Sequence, residues 1–97
     1  MTPRRLQYSA RYFRRLEDIR ERIAADNPAA AACMIERIRT AVERLAASPA
    51  IGRPGRVADT RELVIPSTPY IIPYRVPADA VEILRVFHAA RKWPKKF

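Results

Sequence analysis

Apolar residues recur along this chain with two different periods, and the change of period divides it in two. In "ARYFRRLEDIRERIAA" Phe13, Leu16, Ile19 and Ile23 fall at helical spacing behind Ser9, a residue type suited to cap a helix N-terminus. Asp26-Asn27-Pro28 ends this helix and opens a second, with Asn27 as cap and Pro28 at the first helical position. Ile35, Ile38, Val42 and Leu45 then line one face until Ser48-Pro49 stops the helix. So short a connection predicts an antiparallel helix pair, whose joint apolar stripe must lie on something.

The second half supplies that surface. "ELVI", "YIIPYRV" and "VEILRVFH" are β-rich runs separated by Pro66-Ser67-Thr68-Pro69 and Pro77-Ala78-Asp79, both turn-like. They predict an antiparallel meander, and Arg5 to Tyr8 a short extra strand. Pro73 cannot donate to a ladder, which predicts a bulge in the middle run or a first meander strand too short to pair with it. The fold class is therefore α+β, ordered β-α-α-β-β-β. The helical hairpin packs on one face of a small, mainly antiparallel sheet, and the other face is left for contact.

Ninety-seven residues (1–97) read as one domain. No apolar run approaches the roughly 20 residues that cross a bilayer. Met1 to Tyr8 has basic residues without an apolar stretch behind them, so the start does not read as an export signal. A lone Cys33 among alanines reads as a small buried apolar group, and the location as cytoplasmic. No Walker pattern, dinucleotide fingerprint or metal-ligand cluster is present, and no cofactor is expected.

Charge changes the picture most. The net is +9, and 16 of the 19 basic residues are arginines, whose planar forks suit carboxylate and phosphate. Such an excess favours nucleic acid, an acidic protein or an anionic surface as partner. Both glycines, Gly52 and Gly55, directly precede arginines in "SPAIGRPGRVADT". Gly-Arg pairs can form an anion-binding nest of backbone N–H groups; the alternative is a plain surface connection.

Taken in order, "YSARYFRRLEDI", "GRPGRVADTRELVI", "TPYIIPYRV" and "VEILRVFHAARKWP" resemble the RelE/ParE superfamily of toxins from type II toxin–antitoxin systems. The likeness is stronger to the ParE-type, plasmid-stabilisation branch. It implies the same fold, and a protein that arrests bacterial growth until an antitoxin neutralises it. RelE-like members cleave messenger RNA on the ribosome, whereas ParE-like members poison DNA gyrase.

Each activity nominates residues. Cleavage by the 2′-hydroxyl needs a base, an acid and cations on the phosphate. His88, which matches a family position held by histidine or tyrosine, would carry protons, with Arg61 and Arg85 supplying charge. RNA-cleaving members also carry a basic residue in the middle meander strand, where this chain has Ile71, Ile72 and Pro73. Regular strand alternation would moreover put His88 and Arg85 on opposite faces. A gyrase poison needs only a docking surface, for which Arg75, Arg91, Trp93, Lys95 and Lys96 are the candidates. A third reading is a basic nucleic-acid-binding module without toxicity. In the toxin readings the antitoxin has an acidic, disordered tail, laid across hairpin and sheet, and a DNA-binding half.

Overall fold

Ser9 is where helix and sheet are joined. In the computed structural model, which describes residues 3–97, its Oγ accepts the Tyr12 N–H at 3.2 Å and its own N–H donates to the Ile83 carbonyl at 3.0 Å. The hydroxyl also donates to the Leu84 carbonyl. One side chain thus caps a helix and fixes where it leaves the sheet. The first residues of the stretch read as no export signal, Met1 and Thr2, lie outside the described residues.

Strand β1 (Arg5–Tyr8) leads into α1 (Ala10–Ala24), and α2 (Pro28–Glu43) follows with Asn27 capping through the Ala30 N–H at 3.0 Å. A 3₁₀ turn (Arg44–Ala46) ends the hairpin. Then come β2 (Arg53–Pro54), β3 (Arg61–Val64), β4 (Tyr70–Arg75), β5 (Ala80–Ile83) and β6 (Phe87–His88). The strands lie in the order β1-β5-β4-β3-β2, with β6 also paired to β4; β1 runs parallel to β5 and every other pairing is antiparallel. Both proline-rich separators are turns, with Ser67 and Ala78 at φ 63° and 45°.

One continuous core joins the layers: Tyr12, Leu16 and Ile19 of α1, Ile38 and Val42 of α2, and Leu63, Ile72, Tyr74, Val81 and Ile83 of the sheet. Two sequence expectations change here. Tyr12, 1 % exposed, takes the core position assigned to Phe13, which is 56 % exposed. At about 100° per residue, Tyr12 shares the arc of Leu16, Ile19 and Ile23, and Phe13 lies about 90° from the centre of that arc. Cys33 is exposed rather than buried, because it lies about 140° around α2 from the core residue Ile38.

Pro73 sits inside an unbroken β4, and the bulge lies across from it. The pairs Tyr74↔Ile83 and Ile71↔Phe87 leave Leu84, Arg85 and Val86 opposite only Ile72 and Pro73. The Leu84 N–H bonds the Pro73 carbonyl at 3.0 Å, so the edge of Pro73 that lacks a donor faces this irregular stretch. The ladder is interrupted where proline could not have completed it. This break splits the predicted third meander strand into β5 and β6.

Candidate functional site

The Gly-Arg segment is structured by a buried carboxylate. β2 pairs Arg53 with Glu62 and Pro54 with Arg61. The Glu62 side chain, 2 % exposed, accepts Nε and Nη2 of Arg53 at 3.0 and 2.9 Å, and the backbone N–H and Nε of Arg56 at 2.9 and 3.0 Å. Burial raises its pKa, but the hydrogen bonds from Arg56 and Arg53 outweigh that and hold it below the ordinary carboxylate range. The anion received by this Gly-Arg loop is therefore the chain's own. The glycines are needed for close approach: a Cβ on Gly52 would lie 2.4 Å from the Tyr74 hydroxyl, and one on Gly55 2.1 Å from Thr60 Oγ1. The segment is neither a vacant nest nor a plain connection.

This clamp also holds the C-terminus. The Arg56 guanidinium lies 3.8 Å over the Trp93 ring, which stacks on Phe87 at 4.4 Å, and Phe97 approaches Phe87 at 5.9 Å. Phe87 and Ile71 pair on the sheet face away from the core, so that face is partly covered instead of open.

Beside it lies a cationic cleft of about 400 Å³ between α1 and the segment Arg85–Lys92. Arg11, Arg14 and Arg15 line it from α1, at positions i, i+3 and i+4, and Arg85, His88, Arg91 and Lys92 from the other side. Asp18 is the one acidic residue in its lining. Burial, then the charges of Arg11 and Arg15, push the Arg85 pKa below the ordinary guanidinium value. His88 Nδ1 accepts the Ala90 N–H at 3.2 Å, and its ring meets Tyr70 edge-on at 6.0 Å.

With this geometry in hand, the family model for the ParE toxin of the type II toxin–antitoxin system, parDE, matches residues 6–93. The chain belongs to the ParE toxin family. It is 52 % identical over 95 residues, 98 % of each chain, to "Putative toxin Y4kP" of Sinorhizobium fredii. To "Toxin RelE2" of Caulobacter vibrioides it is 43 % identical over 76 residues, covering 78 % of this chain and 84 % of that one. A solved structure titled "Chromosomal ParDE TA system from P. aeruginosa" superposes with a TM-score of 0.80 at 25 % identity, covering 88 % of this chain and 95 % of its own. The α+β fold read from periodicity is the fold of this family, and a toxin of such a system has an antitoxin partner.

In this ParE-family toxin the nominated residues do not share one place. Arg85 and His88 line the same cleft, contrary to the alternation of a regular strand, because the extra residue between β5 and β6 resets the facing. Arg61 stands apart: its Nε and Nη2 donate to the carbonyls of Gly52 and Ala50 at 3.1 and 3.0 Å. Arg75 pairs in register with Glu82 at the end of β4. Arg91 is exposed at the cleft, Lys95 and Lys96 are exposed on the tail, and Trp93 is half-buried under Arg56. Sequence reasoning overlooked Glu62 with its two arginines, and the α1 side of the cleft. The second carried a signal, since three arginines at i, i+3 and i+4 form one basic helix face. No helix of the described residues is long and apolar enough to cross a membrane.

Proposed function

We propose that this toxin arrests bacterial growth in the cytoplasm by binding DNA gyrase, with no bond-breaking step of its own. We further propose that the acidic, disordered tail of its antitoxin, whose other half binds DNA, covers the cationic surface. The observation that carries the reading is the make-up of β4. Where RNA cleavage calls for a basic side chain, this strand presents Ile71, Ile72 and Pro73, all buried. Arg61, which β3 sets opposite Tyr74 of that strand, is committed to two loop carbonyls. Arg75, Arg91, Trp93, Lys95 and Lys96 provide the docking surface: a half-buried indole ringed by charge is the usual composition of a binding hot spot. Ribosome-dependent cleavage is the second reading, favoured by the convergence of Arg85 and His88 on one cleft.

Growth assays separate the two. Expressed without antitoxin, His88→Ala still arrests growth as the parent does. Arg91→Glu combined with Lys95→Glu weakens target binding about 30-fold, the effect of losing a contact of about 2 kcal/mol, and lets colonies form while the folded protein still co-purifies with its antitoxin. Colonies from His88→Ala together with continued arrest by the double variant would reverse the assignment.

A further inference from the structure

Residues 92–97 lie on the fold without hydrogen bonds. The last backbone bonds of the chain run from the Ala89 N–H to the Pro69 carbonyl at 2.7 Å and from the Arg91 N–H to the His88 carbonyl at 3.0 Å. Beyond them, among the described residues, no hydrogen bond or ion pair involves the backbone or side chains of 92–97. Ring contacts hold the segment instead: Trp93 stacks on Phe87 and carries the Arg56 guanidinium, and Phe97 approaches the same phenyl ring. This arrangement has a cost. Trp93 Nε1 is shut off from solvent and has no acceptor among the described residues. A buried donor of this kind opposes the state that buries it, because water satisfies it once it is exposed. Ordering a chain end opposes that state too. Arg56 favours it, and Glu62 holds Arg56 in place through the backbone N–H and Nε. Closure is thus a balance of small opposing effects, and lifting such a segment requires far less than unfolding the chain.

We propose that residues 92–97 form a strap that closes over the outer sheet face in the free toxin and lifts before the toxin engages its target, with the Glu62-held Arg56 as its latch. The inference rests on the reading of Trp93 as a docking residue. Closed, the indole has a guanidinium and a phenyl ring packed on it and cannot offer those surfaces to a partner. Lifted, it is free, its N–H can donate, and the buried Phe87 beneath it is uncovered as well. Arg91 carries the last backbone hydrogen bond, which places the hinge just after it. Apparent affinity then scales with the open fraction: a strap open in about one molecule in ten weakens target binding about tenfold relative to the open form.

The test pairs a readout in the isolated full-length toxin with one in cells. Trp93 is the chain's only tryptophan, so nitrogen-15-labelled toxin gives one indole N–H signal, whose exchange with solvent reports the strap. Phe97→Ala and Arg56→Lys each weaken closure without touching a docking residue. Arg56→Lys keeps a cation beside Glu62 and loses the flat guanidinium on the indole. Each variant is expected to speed indole exchange by up to about tenfold, and to arrest growth at correspondingly lower expression without antitoxin. Circular dichroism checks that both are folded. Parent exchange as fast as that of a free tryptophan peptide, or exchange unchanged in both variants, would overturn the proposal. So would faster exchange with arrest unchanged or weaker, since the target would then not need the strap lifted. Faster exchange and stronger arrest, with gyrase supercoiling untouched by parent and variants alike, would uphold the strap and sink only the gyrase reading.

Discussion

Replacing Tyr74 with alanine removes about 4–8 kcal/mol of folding stability, a large part of what a chain of this length has. The side chain is 0 % exposed at the centre of the sheet layer, where it contacts both the helical core and the Gly-Arg loop. Its hydroxyl donates to the Pro49 carbonyl at 2.7 Å and accepts the Gly52 N–H at 2.9 Å. Truncating a buried ring costs about 3–5 kcal/mol, and a buried N–H left without its acceptor adds about 1–3 kcal/mol. A chain of this length has roughly 5–15 kcal/mol in all, at about 0.05–0.15 kcal/mol per residue. Tyr74→Phe keeps the ring and loses only the hydroxyl bonds, about 2 kcal/mol, and folds with a lowered midpoint. Urea titration followed by circular dichroism measures both. Equal midpoints for Tyr74→Ala and the parent would mean that this ring does not tie loop to core.

Glu62→Ala costs about 3 kcal/mol and loosens the C-terminus at the same time. Breaking a buried ion pair costs about 3–5 kcal/mol, and the lower end applies because Arg53 and Arg56 are about half exposed (51 % and 42 %) and turn to water when released. Arg56 then no longer has a reason to lie over Trp93. Trp93 is the only tryptophan in the chain, so its fluorescence reads the clamp directly: emission shifts to the red and quenching by acrylamide rises. The same carboxylate sets a pH dependence. Its folded pKa lies below the unfolded value, so its contribution is complete above about pH 4.3 and is lost as pH falls through the lower folded value. Glu62→Gln flattens the acid limb of the stability curve, and an unchanged limb would show that another group sets it.

Much of this was legible in the sequence, for local reasons. Ser9 and Asn27 cap their helices through hydrogen bonds to residues three positions on, and the proline-bounded turns close the meander, so short windows contain all the information they need. Phe13 is the more apolar of two neighbouring aromatic residues, but the helical period already favours Tyr12, which the hairpin buries. Glu62 could not be read as a clamp until the hairpin register set it opposite Arg53. Arg85 and His88 came together through one unpaired residue, invisible to a count of alternating positions. A basic face on α1 looks like any solvated helix surface until β6 is known to lie across from it.

A toxin that binds its target, as proposed, and a toxin that cuts message differ in what they do to two purified substrates. Purified toxin, wild-type and His88→Ala, assayed in parallel for inhibition of gyrase supercoiling and for cleavage of ribosome-bound message, separates the two. Both proteins are expected to block supercoiling and leave the message intact. Message cut by the wild type and spared by His88→Ala, with supercoiling untouched, would show a nuclease instead.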